Sequence, residues 1–587
     1  MLYVGSSIVV VMALLLYKRS ERSLNFLSSL AKAIITYECY ICMLGGLLTI
    51  AGLPVTVNSV SVVNILLCIY LITKSIKTKS YQIYYLDWMD LAFICVLGAI
   101  VYKVFSSRFS NELHIIFETS DPGTHLKMAM DMVTTNSVNN MYLGQLINGL
   151  FIESMEGIYS GAFVYKSFII QYGINFFLAG FVFWSTITRY AQNTILKLIS
   201  YGITVAYLLG YPYNDMLFGF VYLQMTISIC CYLIAVTQDY LYNELNFKIY
   251  GILGGLGCLG VGIGYTLFAP IVWFAVLGCV MLKAHQEKWL LNKTKMFFSI
   301  KFILSSLYIY AIPAFITLWF LVIMPIFNNG NIAYGSDLNI EGYIYRNLYS
   351  DFWIFSLPAI YGYFYTIRTK NITLMTILAP LFMVYYFFFL YKMLNNEVST
   401  YYFYKLNFLL WLIILFLFMI GLKYLFLNEK LLFRIIIGTI LFSSTIYATR
   451  FEMDFNAKNA NYIPFSDTES LFRIYTHNYI YYERKSQIPP ELIAISDTIN
   501  HIKDAENTVF IGYWLEQYWY EALTNIRLPI EWKWLSPQEM VEEFLSGNCG
   551  AYAVITKDSE AVNIYQDYID TNQIFECDYA YIIKRDN

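Results

Sequence analysis

The chain has 587 residues, of which 58% are hydrophobic, 19% aromatic and 13% charged, with a mean hydropathy of +0.53. A soluble protein carries about 25% charged residues, so this chain has too few polar side chains to cover a soluble globule, and disorder, collagen and coiled coil are excluded as well. The net charge of −3 hides a split: residues 450–587 hold 11 Lys/Arg and 22 Asp/Glu, whereas residues 1–449 hold 27 and 19, and neither part has the basic patch that nucleic acid needs.

A spanning helix needs about 20 mostly apolar residues. Fourteen stretches qualify in chain order, near 1–17, 32–53, 57–73, 86–105, 161–188, 195–212, 217–237, 248–265, 267–283, 300–326, 351–367, 371–391, 405–426 and 431–449. Lys18, Arg19 and Arg22 follow the first stretch instead of preceding it, and no small-residue cleavage site appears, so it reads as a span and not a secretory signal. The glycine-rich stretch Gly251–Gly264 reads as close helix packing through small residues. Clusters at Lys18/Arg19/Arg22, Lys74/Lys77/Lys79, Arg189/Lys197, Lys283/Lys288/Lys293/Lys295, Arg368/Lys370 and Lys423/Lys430/Arg434 all fall on one side of a fourteen-span arrangement. Positive charge marks the cytoplasmic side. The expectation is a multi-pass protein of the cell membrane, with its N-terminus and residues 450–587 extracytoplasmic.

The outward segments are then 106–160, 211–217, 327–350, 392–404 and the tail. In the first, Thr124–Val133 and Met141–Met155 read as short helices, the second amphipathic and suited to the membrane interface. The others are rich in Tyr and Asn, which suits a carbohydrate-like ligand but also suits the aromatic belt of any membrane protein. Residues 450–490 read as a linker. Beyond it, TVFIG (508–512) and AYAVIT (551–556) read as strands, and 514–523, 537–545 and 559–568 as helices, giving a small α/β domain without a nucleotide motif or nucleophile elbow. Eight of the ten cysteines lie in apolar stretches, where a thiol is usually a small hydrophobe. Cys549 and Cys577 are the two in the tail, and whether they pair is open. No metal-ligand spacing is present.

Charge beside a membrane is expensive and so points to function. The most distinctive run is Glu118-Thr-Ser-Asp121-Pro-Gly-Thr-His125, at the start of the large outward segment. Asp followed by Pro is a helix N-terminus. A carboxylate fixed there is also positioned to act as a general base. His125 lies one helical turn on, within reach of Asp121 or a ligand. Many spans, a first large outward loop opening with an acid, a helix within that loop and an outward C-terminal domain together make a layout that resembles the GT-C superfamily of membrane glycosyltransferases, which use polyprenyl-phosphate sugars. The resemblance implies Asp121 as base on the acceptor. By position it also implies Asp215, Arg346 and Lys405 as substrate-binding residues, with Arg346 and Lys405 the candidates for the carrier phosphate; Glu118, a near competitor of Asp121 for the base, His125 and Glu341 are further candidate substrate-binding residues. The implied reaction is a metal-independent, inverting transfer from a polyprenyl-phosphate donor to a glycan or glycolipid acceptor, with no cofactor. Departures are the three spans before the loop-bearing helix and the absence of a D-x-D pair. A lipid-linked polysaccharide polymerase or ligase, a lipid-linked oligosaccharide flippase or transporter, and a non-catalytic assembly protein are the competing readings.

Overall fold

The computed structural model describes residues 2–18, 22–79, 81–108, 121–139, 142–155, 160–286, 300–329, 337–340, 348–428, 490–502 and 505–586. Glu118, Glu341, Arg346, the stretch 431–449 and nearly all of the 450–490 linker lie outside these residues.

The helices in chain order are α1 (Leu2–Leu16), α2 (Phe26–Ile50), α3 (Val57–Thr78), α4 (Trp88–Arg108), α5 (Asp121–Thr135), α6 (Leu143–Ser154), α7 (Gly161–Ile187), α8 (Thr194–Leu208) and α9 (Tyr211–Phe218). There follow α10 (Val221–Leu241), α11 (Phe247–Gly264), α12 (Ala269–Gln286), α13 (Ile300–Leu318), α14 (Met324–Asn329), α15 (Leu348–Arg368), α16 (Leu374–Leu394) and α17 (Thr400–Asn428). Eleven helical stretches among the described residues are long and apolar enough to cross a membrane, so this is a multi-pass helical membrane protein. The expected fourteen is not reached among these residues. The first helix has only 15 residues, the helix over the 351–367 stretch falls outside the eleven, and 431–449 is not described.

At the centre stands α10, buried along almost its whole length. It packs against α7, α11, α12, α16 and α17. Lipid tails are as apolar as leucine, so helices in a bilayer associate through close van der Waals fit and not through hydrophobic expulsion. The pair α15–α17 shows how the sequence achieves this. A Cβ on Gly421 would overlap the Pro358 carbonyl, and one on Gly362 would overlap the Leu417 carbonyl. The glycine-rich α11 is one continuous helix, and Gly255 faces the Ile309 carbonyl, with room for no Cβ. Close packing, not a broken transport helix, therefore explains that stretch.

One expectation is overturned. The helix α6 does not lie along the membrane interface: Leu143, Gly144, Gln145, Leu146, Ile147, Asn148, Gly149 and Leu150 are all buried. It is wedged among α5, α7, α1, α2 and α10. Gly149 leaves it slim enough to enter, lying against Met132 and the Ala129 carbonyl of α5 with no room for a Cβ.

After the linker come α18 (Pro490–Asn500), α19 (Trp514–Thr524), α20 (Pro537–Ser546) and α21 (Glu560–Asn572). Two short strands near the N-terminus, β1 (Leu24–Asn25) and β2 (Tyr84–Tyr85), pair in parallel. The C-terminal strands β3 (Thr508–Ile511), β4 (Tyr552–Thr556), β5 (Gln573–Glu576) and β6 (Ala580–Lys584) form a sheet of order β3-β4-β6-β5, parallel only between β3 and β4. The strands β3 and β4 are buried on both faces, as a run of Val, Phe, Ile and Ala without polar alternation requires. Cys549 and Cys577 are both free thiols. This C-terminal unit sits on the bundle. Trp519 packs edge-on against Tyr165 and Phe168 of α7, and Asp497 accepts from the Gly161 amide and, at 3.4 Å, from Ser160 Oγ at the start of α7.

Candidate functional site

Asp121 is the first residue of α5 and is half-buried. Two glycines hold it in place. Gly219, at φ +79°, closes the α9–α10 turn, and any Cβ there would overlap the Pro122 ring. Gly123 lies against the backbone nitrogen of Trp519, 3.3 Å from where its Cβ would be. The acid is thus clamped between the α9–α10 turn on one side and α19 on the other. Without a side chain, both neighbours approach the backbone of Asp-Pro-Gly directly, which is what glycine is for at such contacts.

Lys405 comes to the same place from α17. The sequence places it at the foot of a span. In the structure it lies one turn inside α17 and is 2% exposed. Its ammonium lies 4.1 Å from the Tyr401 ring centroid and 4.2 Å from that of Phe220, with Tyr402, Tyr265 and Tyr222 within 5.8 Å. It donates to Tyr222 Oη at 3.2 Å. Aromatic faces carry negative charge density and stabilise a desolvated cation without neutralising it. The lysine therefore keeps a positive charge available to an anion.

Asp215, near the end of α9, is 1% exposed, and its Oδ1 has no hydrogen-bond partner. Burial pushes its carboxyl well above the usual range, while the Lys405 charge pulls the other way. Asp121 is raised for the same reason and opposed by the same cation. The two acids and one lysine thus share one field. His125 packs at a tilt against Tyr222 with ring centroids 4.8 Å apart, and its Nδ1 lies 3.0 Å from Gln145 Nε2 of α6. Burial, helped by the Lys405 charge, pushes its imidazole down to about 4, so it is neutral near pH 7. With the Gln145 amide donating to Nδ1, the ring proton sits on Nε2.

The structure therefore brings together four of the expected residues, Asp121, His125, Asp215 and Lys405. Glu118, Glu341 and Arg346 lie outside the described residues. The aromatic ring set was not foreseen residue by residue. Phe220 and Tyr222 sit inside an apolar run and carry no distinguishing signal, while Tyr401 and Tyr402 were visible only as part of a tyrosine-rich loop. Among the described residues a groove of about 570 Å³ opens between α15, α16 and α17, lined by Ile360, Phe364, Met383, Leu410, Ile414 and their neighbours. At 100° per residue its α17 residues lie roughly 80–180° round the helix from Lys405, so it faces away from the acids. No protein-family model and no curated protein matches this chain.

Proposed function

We propose that the chain is a membrane glycosyltransferase that moves a sugar from a polyprenyl-phosphate carrier to an extracytoplasmic glycan or glycolipid of the cell envelope. One observation supports this above the others. Asp121 and Lys405, 284 residues apart in sequence, share an enclosed, tyrosine-lined site at one end of an apolar bundle, and Asp121 feels the Lys405 charge. A base and an unneutralised cation are the two charges that an inverting transfer from a lipid phosphate needs.

In this reading Asp121 removes the proton from the acceptor hydroxyl as its oxygen attacks the anomeric carbon. The bond from that carbon to the phosphate oxygen breaks, and the polyprenyl phosphate leaves with the electron pair. Lys405 and the Tyr222 hydroxyl balance the charge that grows on the leaving oxygens. The neutral His125 donates from Nε2 to a sugar or phosphate oxygen, and Asp215 holds the Lys405 side of the site polarised. Glu118, Glu341 and Arg346, outside the described residues, are further substrate-binding candidates from the sequence alone. With the fourteen spans expected from the sequence, the Asp121 end and the C-terminal α/β unit would lie outside the cell.

The test is sugar transfer from a labelled polyprenyl-phosphate sugar in membranes containing the full chain. Asp121→Asn is expected to lower the rate by about 10²–10⁴-fold with normal expression and elution, and Lys405→Ala to lower it as well. The base must be ionised, so the wild-type rate rises with pH through the Asp121 pKa. That limb lies above about 3.9, the ordinary aspartate value, because burial raises the carboxyl. Undiminished transfer by Asp121→Asn sinks the assignment.

A further inference from the structure

We propose that a second polar pocket, at the end of the bundle opposite Asp121 and walled by Arg189, Lys423 and Tyr424, binds an organic phosphate that also carries hydroxyl groups, of the kind presented by a glycerophosphate lipid headgroup. The pocket has a volume of about 230 Å³, against about 30 Å³ for a water molecule. It therefore holds a small polar group and not merely one solvent molecule.

Its position follows from α17. Lys405 and Lys423 are 18 residues apart, which is five turns at about 3.6 residues per turn, so both lie on the same face, about 27 Å apart along the axis. That spacing nearly matches the bilayer hydrocarbon thickness of about 30 Å. The Asp121 site and this pocket therefore mark the two water boundaries, where lipid headgroups lie.

The wall chemistry selects the ligand. Arg189 and Lys423 line the pocket against one carboxylate, Glu244. Arg189 is already engaged, with Asp239, with Glu244 at 3.5 Å and with the Ala235 carbonyl at 2.7 Å. Lys423 is different. Among the described residues no carboxylate pairs with it, and its ammonium stands 5.7 Å from the Tyr424 ring centroid. The Tyr424 hydroxyl accepts from Asn371 at 3.1 Å, which leaves its own proton free to donate. Tyr190 Oη and Gln238 Oε1, on side chains that are 4% and 7% exposed, have Thr373 and Tyr242 respectively as polar neighbours and complete no well-formed hydrogen bond with them. An unpaired ammonium and phenol donors match phosphate oxygens. The Gln238 carbonyl oxygen and the Glu244 carboxylate, the latter already facing Arg189 and Arg22 at 3.5 Å, add acceptors to the lining, and headgroup hydroxyls supply donors to them. Buried polar atoms without partners are costly, and one ligand satisfies both sets.

The experiment uses the purified full-length chain in neutral detergent, with binding followed by native mass spectrometry and by thermal unfolding. The probes are phosphatidylglycerol, phosphatidylcholine, glycerol 1-phosphate and inorganic phosphate. Phosphatidylglycerol is expected to bind and to raise the unfolding temperature, phosphatidylcholine to do neither. Lys423→Gln should weaken binding at least tenfold and Tyr424→Phe by less, while Lys370→Gln, an exposed cation at the same end, leaves it unchanged. If glycerol 1-phosphate alone saturates the site, the ligand is a soluble phosphate; if only the lipid binds, it is a headgroup. Either result supports the proposal. Equal lipid binding by wild type and Lys423→Gln overturns it, as does the absence of any response to all four probes. Tyr424→Phe keeps the test meaningful should Lys423→Gln fail to fold.

Discussion

Asp215 places a carboxylate where nearly everything else is apolar or aromatic, and its environment dictates how the protein responds to pH. Its folded pKa lies well above the ordinary aspartate value because burial disfavours the charge, even with Lys405 pulling against that trend. A group with a raised folded pKa binds more protons in the folded state than in the unfolded one. Stability therefore falls as pH rises above the unfolded value of about 3.9, and levels off once the folded pKa is passed. Asn in place of Asp215 removes the ionisable proton and the slope with it. Asp215→Asn is therefore expected to be more stable than wild type at pH 7, because it no longer carries the cost of a buried ionisable carboxyl. It should also show a flatter dependence of unfolding temperature on pH, and transfer sugar more slowly. Such a trade of stability for a strained polar site is common where a site does chemistry. Thermal unfolding of the two proteins between pH 4 and 8 decides it, and a variant less stable than wild type at pH 7 counts against a raised Asp215.

Elements explain why part of this site was legible in sequence and part was not. Asp121 stood out because Asp-Pro-Gly-Thr-His is a polar helix start in a chain with few charges. The strands β3 and β4 stood out because TVFI and YAVIT are short runs rich in β-branched residues, bounded by turn formers. Spans stood out by length alone. The rest of the site was hidden because its chemistry is delivered by apolar-looking helices: Tyr222 opens α10 and Lys405 lies inside α17, so hydropathy absorbs both. The placement of α6 was hidden because a twelve-residue amphipathic helix has the same pattern whether it lies on a bilayer or enters a cleft, and only tertiary contacts choose. The attachment of the C-terminal unit was hidden because it rests on contacts between elements far apart in sequence, among them the Trp519 ring on α7 and one carboxylate. Asp497 of α18 accepts from the first amide of α7 and from Ser160, and so acts as a helix cap supplied from another element. Losing a cap costs about 1 kcal/mol. Asp497→Ala is thus expected to loosen the seat of α18 and α19, to speed proteolysis after residue 490 several-fold, and to slow transfer by relaxing the clamp on Gly123. Asp497→Asn, which still accepts from the amide, should retain most of both. Limited proteolysis of the two variants side by side measures this, and equal cleavage rates in Asp497→Ala and wild type reject it.

Across the whole molecule, charge is sorted by end. Near the foot of α10, Asp239 is held by Lys32 at 3.1 Å and by Arg189, with Glu244 and Arg22 beside them. Lys197 bridges Asp87 and Asp90 at 2.6 and 2.9 Å. These pairs sit at the same end as Lys423, whereas the Asp121 end has ion pairs of its own, Lys127 with Asp131 and Lys392 with Glu397, beside a Lys405 held by aromatic rings. Further cations such as Lys74, Lys77, Arg368 and Lys370 also cluster in the sequence, and an excess of Lys and Arg in the short loops of one end is what orients a multi-pass protein, because such loops resist translocation. The enzymatic reading demands that Asp121 face outward, since a sugar acceptor of the cell envelope is found only there. One topology measurement therefore bears on the bundle and on its chemistry together. Asn395 follows α16 at the Asp121 end, Thr369 follows α15 at the other end, and both are exposed. In a background with Cys549 and Cys577 changed to Ser, Asn395→Cys is expected to react with a membrane-impermeant maleimide in intact cells. Thr369→Cys should react only after the membrane is opened. The reverse pattern would place Asp121 and Lys405 in the cytoplasm, where a phosphate-linked lipid sugar is made but the proposed acceptor is absent, and the transfer reaction would have to be abandoned while the helix bundle stood.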